Sequence, residues 1–217
     1  MKNNYFLALS CGALVAFCLF SSTLNAQSIR FGAQLSGGIS GAIEPVEPVP
    51  NYQNVTASIF SFGAAFTAEK TFRNPKFGVL IEPGVTKRGY ESAIFGTRSE
   101  KRKIDLYYAN APISFFYQPL KNDRLRIGLG GEVGYLFEDR YRDGAISPIF
   151  SDFHEKFDIA GHISIQTTLL SKVALGLKAS RSFSPLTTIT YSDDRGNLSV
   201  FDWYNYHLHL YARYYIN

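Results

Sequence analysis

The chain has 217 residues, with 22 basic and 18 acidic side chains and a formal charge of +4 at pH 7. So small a positive excess gives no argument for a nucleic-acid partner, and none is expected. The 14 Tyr, 18 Phe and 18 Gly beside a single Met are typical of strands and of the residues that bend them. The composition therefore predicts an all-β chain with one folded domain.

The first 26 residues have the pattern of a secretory signal peptide. Lys2 gives a positive start, a nearly unbroken apolar stretch covers residues 5–20, and the small residue Ala26 follows a short polar segment. We therefore predict a cleavable signal peptide at 1–26 and an exported domain at 27–217.

Both cysteines, Cys11 and Cys18, lie within the predicted signal peptide. The exported domain then has no thiol for a disulfide, a thiolate metal site or a nucleophile. Beyond the signal peptide, no apolar run reaches the ~18 residues that a membrane helix needs. A disulfide-stapled fold and a helical membrane protein are both excluded.

Eight segments of the exported domain alternate between apolar and polar residues, which is the period of a strand with two different faces. In chain order they are 28–36, 61–72, 77–88, 104–118, 125–138, 157–167, 173–182 and 204–217. The fourth segment alternates least cleanly, with Asn110, Pro112 and Ser114 marking a polar or small face. Most of the segments have about ten residues, close to the ~9–11 with which a tilted strand crosses a bilayer.

Short and long connections alternate between these segments. The long ones are polar and rich in turn formers, and they are predicted at 37–55, 90–103, 139–155 and 184–202. The first contains a proline-rich run that does not suit a central strand. Short turns at one end and long loops at the other describe an eight-stranded, antiparallel, up-and-down transmembrane β-barrel of the outer membrane.

The polar face of the segments distinguishes a membrane barrel from a soluble, lipocalin-like binding barrel in the periplasm. That face is crowded with Gly and Ser, whereas a solvent-facing surface would carry more Lys and Glu. Small residues suit the interior of a narrow barrel, which ~8 strands leave just wide enough for side chains. We therefore expect the apolar face to meet lipid, with the lipocalin-like barrel as the alternative.

The few charged residues of the polar face are close to balanced in sign, as expected if acids and bases pair in a closed space. The predicted interior polar network comprises Arg30, Glu82, Arg88, Arg126, Glu132, Asp158, His162, Lys178, His207, His209 and Arg213. Glu69 and Glu138 fall on the same face. This network predicts a packed, polar interior that conducts no solute, with a narrow pore as the alternative.

Two short motifs lie in the third and fourth predicted strands. Glu82 is followed by Lys-Arg-Gly at 87–89, and an aromatic residue leads to proline at 108–112. With these motifs the chain resembles the PorT-like outer-membrane β-barrel domain proteins, and more loosely the OmpA and OmpX barrels of Gram-negative bacteria. The alternating aromatics at the end of the chain look like a signal for the barrel-assembly machinery. The resemblance implies fold and location, and it transfers no catalytic residue.

Two pairs of residues could form a metal site or a catalytic site. His207 and His209 share a face and could hold a metal, but no third ligand is apparent. His162 and Ser164 superficially resemble the His and Ser of outer-membrane lipid A deacylases, although no acid is evident to orient the histidine. We therefore predict no catalytic residue, cofactor or metal, and keep a lipid-modifying enzyme as the alternative.

A basic stretch ends the second long loop. Its cations, Arg98, Lys101, Arg102 and Lys103, either contact lipopolysaccharide phosphates or form a solvated loop. We expect the long extracellular loops to give the protein a structural, adhesive or secretion-accessory role. The expected partners are outer-membrane lipid, lipopolysaccharide, the barrel-assembly machinery and an unidentified protein at the loops.

Overall fold

A computed structural model describes residues 29–43, 56–93, 101–120, 124–142, 154–192 and 198–216. Its strands are β1 (Ile29–Ile43), β2 (Thr56–Thr71), β3 (Phe77–Ile81), β4 (Gly84–Ala93), β5 (Lys101–Tyr117), β6 (Leu125–Arg142), β7 (Phe157–Leu170), β8 (Val173–Ser182), β9 (Thr187–Ser192) and β10 (Leu198–Tyr215). No helix in this part of the chain is long and apolar enough to cross a membrane. The predicted signal peptide at 1–26 lies outside the described residues.

The strands form one antiparallel sheet that closes on itself. β1 pairs with β2 on one side and with β10 on the other, which completes the ring. Between β2 and β5, β3 and β4 share one place in the ring, and β9 lies off it, paired with the first residues of β10. The prediction of eight antiparallel strands is thus confirmed, and closure leaves the ring without an open edge.

The break between β3 and β4 positions one acidic side chain in the interior. Pro83 has no amide hydrogen for the sheet, so the ladder stops there. The wall nevertheless stays bonded, because Glu82 N–H donates to Pro112 O and Phe66 N–H donates to Pro83 O, both at 2.9 Å. The side chain of Glu82 is 1% exposed and faces the lumen.

The two faces of the sheet have the polarity predicted for a membrane protein. On the outer face Phe66 is 74% exposed and Leu35 and Leu210 are each 69% exposed, whereas Arg88 and Arg213 are buried in the interior. A lipocalin-like barrel requires the reverse arrangement, so that alternative is wrong. Apolar outer side chains on a closed ring identify a transmembrane β-barrel.

The strands at the long-loop end run further than predicted. β1 continues to Ile43, β6 continues to Arg142, and a hairpin of β9 with β10 occupies most of the segment predicted as a loop at 184–202. We refer to this side of the barrel as the loop end and to the other as the turn end. Outside the bilayer the strands continue through cross-strand hydrogen bonds, but their side chains need not alternate between apolar and polar. The predicted strands therefore end too early.

A bulge in β6 overturns one predicted orientation. Tyr107 pairs with Glu138 and Tyr108 pairs with Leu136, so Phe137 is an extra residue. After this extra residue the inward-facing and outward-facing positions of β6 are exchanged. Glu138 therefore lies on the outer face beside Arg140 instead of in the interior. The prediction that Glu138 faces inward is therefore wrong, because period-2 alternation cannot register an inserted residue.

Candidate functional site

The middle of the lumen contains an ionic cluster centred on Glu82, here called the middle cluster. Arg213 donates from Nη2 to Glu82 Oε1 at 2.8 Å, and Lys178 donates from Nζ to Glu82 Oε2 at 2.5 Å. Arg213 also donates to Gln34 Oε1 and to Gln166 Oε1, both at 2.7 Å. These side chains come from β1, β7, β8, β10 and the β3–β4 break, so the cluster ties together five of the eight positions of the ring.

Towards the loop end lies the upper cluster, centred on Arg88. Its guanidinium pairs with Glu132 and donates from Nη1 to Asp158 Oδ2 at 2.8 Å. Asn110 Nδ2 donates to Glu132 Oε1 at 3.2 Å, and the ring of Tyr108 lies 5.1 Å from the guanidinium. Arg88 is fully buried, so its charge depends on these partners.

The lower cluster lies at the turn end. Arg126 pairs with Glu69, and Tyr215 donates its hydroxyl hydrogen to Glu69 Oε2 at 2.9 Å. Arg126 Nη1 and Gln166 Nε2 donate to the Tyr215 hydroxyl oxygen at 3.1 Å and 3.2 Å. Gln166 thus bridges the lower and middle clusters.

The three clusters balance one another in charge. The middle cluster joins two cations to one carboxylate, the upper cluster joins one cation to two carboxylates, and the lower cluster joins one of each. Each of these side chains is at most 8% exposed. An unpaired charge at such a depth would be strongly destabilising, so the balance is what allows an ionic interior.

Arg30 is the one member of the predicted network that lies at the rim. It is half-buried at the turn end, with its guanidinium 4.1 Å from the centre of the Tyr215 ring. Its Nη2 donates to Ser171 O at 3.5 Å. Arg30 therefore covers the lower cluster from outside and does not join the buried ion pairs.

Two of the interior histidines bond to serines. Ser114 Oγ lies 2.7 Å from His162 Nε2, and Ser61 Oγ lies 2.7 Å from His209 Nε2. The rings of His207 and His209 are 4.7 Å apart. The carboxylates of the three clusters are bonded to Arg and Lys instead. Among the described residues, no group of three or more His, Cys, Asp or Glu side chains could hold a metal.

An apolar core closes the lumen at the loop end. Its buried members are Ala42, Tyr90, Ile104, Leu106, Tyr108, Leu136, Leu186 and Trp203. The rings of Tyr90 and Trp203 meet edge to face at 5.8 Å. Sequence reasoning missed this core, although the apolar residues at even positions of 104–108 share the face of Asn110.

A polar chain crosses this core. The hydroxyl of Tyr90 is 3.1 Å from His154 Nε2, and His154 Nδ1 is 3.1 Å from Asp139 Oδ2. The hydrogen bond with His154 lowers the pKa of the Asp139 carboxyl, against a smaller opposing effect of burial. The side chain of His154 therefore links two strands to the segment that precedes β7.

Little free space remains among the ionic clusters. A cavity of about 30 Å³ lies among Thr86, Glu82, Lys178, His207 and His209. That volume is on the scale of about one or two water molecules. Thr86 Oγ1 has no hydrogen-bond partner in the described part of the chain, so it offers such a water a polar contact.

No protein-family model and no curated protein matches the chain. Similar solved structures include Ail of Yersinia pestis in complex with sucrose octasulfate, at 13% identity and a TM-score of 0.44, covering 87% of this chain and 99% of that one. A major outer membrane protein of Thermus thermophilus has 14% identity and a TM-score of 0.48, covering 87% and 100%. The outer membrane protein AlkL has 16% identity and a TM-score of 0.49, covering 91% and 94%. The resemblance to the PorT-like family stays a prediction.

Proposed function

We propose that this small outer-membrane β-barrel is a non-conducting scaffold that acts through the loops at its loop end. The role of those loops is structural, adhesive or secretion-accessory. The proposed partners are outer-membrane lipid and lipopolysaccharide, the barrel-assembly machinery during biogenesis, and a protein that binds the extracellular loops. A cleavable signal peptide exports the chain.

The observation that carries this proposal is the filling of the lumen. A solute would have to separate the ion pairs of all three clusters and then pass the apolar core around Tyr90 and Trp203. Each separation would leave buried charges without their partners, which is strongly unfavourable.

The proposal includes the absence of enzymatic activity. Ser114 and His162 are bonded as in a nucleophile and its base, but both lie in the lumen and are at most 3% exposed. A lipid ester outside the wall cannot reach them. His162 Nδ1 bonds to no acid in the described part of the chain, so an orienting carboxylate is lacking.

Conductance in planar lipid bilayers tests the sealed lumen. We expect no steady conductance steps for the wild-type barrel, after its gel mobility in SDS has been shown to shift on heating. A matched comparison is the double variant Trp203→Ala, Tyr90→Ala, which removes two aromatic rings from the apolar core and leaves the ionic clusters in place. Steady steps in the wild type would show that the protein is a pore.

Two further experiments test the other parts of the proposal. Ser114→Ala and His162→Ala should leave the lipid A species of the host membrane unchanged by mass spectrometry, and a changed species would indicate an enzyme.

Replacing residues 144–152 with a Gly-Ser linker should abolish binding of intact cells to their target surface while heat-modifiable mobility persists. Unchanged binding after each of the four long loops is replaced in turn would count against a role for the loops.

A further inference from the structure

The outer wall of β5 and β6 changes character where its apolar belt ends. Tyr107 and Phe137 form an aromatic pair with ring centres 6.4 Å apart, and Phe137 is 52% exposed. The next outer-face positions towards the loop end are Asp105 and Lys103 on β5 and Glu138 and Arg140 on β6. Aromatic rings favour the membrane interface and charges avoid hydrocarbon, so this boundary marks the level of the lipid headgroups.

Arg140 is held in place on this wall while most of its donors stay available. Its Nε donates to Glu138 Oε1 at 2.6 Å, and its guanidinium carbon lies 5.2 Å from the centre of the Tyr107 ring. The side chain is 61% exposed. Neither Nη group donates to a described residue, so the guanidinium retains the paired N–H groups that bind phosphate oxygens.

Lys103 lies next to Arg140 on the same face. In the register of β5 and β6, Lys103 pairs with Arg142 and Asp105 pairs with Arg140, so Lys103 and Arg140 are diagonal neighbours. Such neighbours are ~7–8 Å apart between Cα atoms, which long side chains can span. Lys103 forms no ion pair with any described residue, although Glu91 is its direct partner on β4.

The acidic groups nearby are already occupied or lie to one side. The carboxylate of Asp105 is 2.7 Å from Lys87 Nζ, and that of Glu138 is bound to Nε of Arg140. Asp105 lies directly opposite Arg140 but is shared with Lys87, so the cations Lys87, Arg140 and Lys103 outnumber the carboxylates of Asp105 and Glu138 by one. A phosphate monoester placed between Arg140 and Lys103 would accept charge-assisted hydrogen bonds from both side chains.

We infer that Arg140 and Lys103 form a binding site for the phosphate of a lipid A-type glycolipid, with Tyr107 and Phe137 packed against its sugar and acyl chains. The inference rests on the proposed outer-membrane placement, which puts the loop end in the outer leaflet. Of the cations predicted from sequence to contact lipopolysaccharide, Lys103 belongs to this site. The side chains of Arg98, Lys101 and Arg102 lie outside the described part of the chain.

The test is a titration of the full-length, folded barrel in detergent micelles with lipid A, followed by native mass spectrometry. The double variant Arg140→Gln, Lys103→Gln should bind lipid A about tenfold more weakly or worse than the wild type, as two charge-assisted contacts are lost. The matched control is Lys76→Gln, Lys172→Gln, which removes two exposed cations at the turn end and should bind as the wild type does.

Three results would overturn the site: equal binding by both double variants, equally tight binding of dephosphorylated lipid A, or displacement of lipid A by equimolar inorganic phosphate. The last result would assign the cations to free phosphate and not to a lipid. Heat-modifiable mobility is recorded on every sample. A wild-type sample that fails to shift would refute the proposed membrane barrel itself, whereas a shift without selective lipid A binding would refute only the site.

Discussion

Replacement of Glu82 by Gln probes the interior most directly. The change keeps the volume and removes the one carboxylate that neutralises Arg213 and Lys178 in the middle cluster. Arg213 retains its hydrogen bonds to Gln34 and Gln166, but Glu82 is the one hydrogen-bond acceptor found for Lys178 in the described residues. Two buried cations would then face each other without a counter-charge.

Breaking a buried ion pair by removing one partner costs about 3–5 kcal/mol. The amide bonds that Arg213 keeps offset part of this, so we expect Glu82→Gln to lower the free energy of unfolding by about 3 kcal/mol. Adding Lys178→Met removes the cation left without an acceptor and should recover half of the loss or more. The coupling between the two substitutions is the quantity that isolates the ion pair.

Urea unfolding of the barrel in lipid vesicles provides the assay. Trp203 is the one tryptophan of the chain and is buried in the apolar core, so its fluorescence reports unfolding without an added label. Loss of heat-modifiable mobility gives an independent second probe. A loss below about 1 kcal/mol for Glu82→Gln, or no recovery in the double variant, would refute the view that ion pairing stabilises the interior.

Three further predictions concern the loop end, the wall and the belt. Because the pKa of Asp139 is lowered in the folded state, its bond to His154 stabilises the fold fully above the ordinary carboxyl pKa of 3.8, and this stabilisation is lost as the pH falls through the lower folded pKa. Trp203 fluorescence should therefore change over this pH window in the wild type and stay flat in Asp139→Asn. Gly84→Ala should lower the free energy of unfolding by about 1–3 kcal/mol, because the added Cβ would lie 2.3 Å from a backbone oxygen. In the control Gly37→Ala the atom closest to the added Cβ is 3.8 Å away, and equal unfolding midpoints for the two variants would contradict this prediction. Leu210→Arg should cost about 2–4 kcal/mol in vesicles, and tolerance typical of a soluble surface would show that this face does not meet hydrocarbon.

Much of the architecture follows from local pattern. Alternation placed Leu210 outside and Arg213 inside, because each strand reports its own two faces without reference to its neighbours. Even the fourth segment, where alternation is weakest, has Pro112 and Ser114 buried on the predicted inner face. The alternation of short turns with long loops then determined an up-and-down order, since antiparallel neighbours need no crossover.

The partners inside the lumen were decided by tertiary structure alone. Glu82 and Arg213 are 131 residues apart, and their contact depends on how the closing sheet staggers β10 against the β3–β4 break. The charged residues of the polar face predicted that acids and bases would pair. The sequence pattern of one strand, however, does not show which strand lies across the lumen from it. Arg30 remained at the rim for the same reason, since its height in the barrel is a property of the stagger.

Glu138 shows most clearly what could not be predicted from the sequence. One extra residue, Phe137, reverses the phase of β6 and moves this carboxylate from the expected interior to the outer wall beside Arg140. A bulge depends on the pairing of two strands and leaves no mark on the period of either one. The sequence by itself therefore determined the two faces and the order of the strands, while the closed sheet decided which side chains meet within and which charged side chains lie on the outer wall.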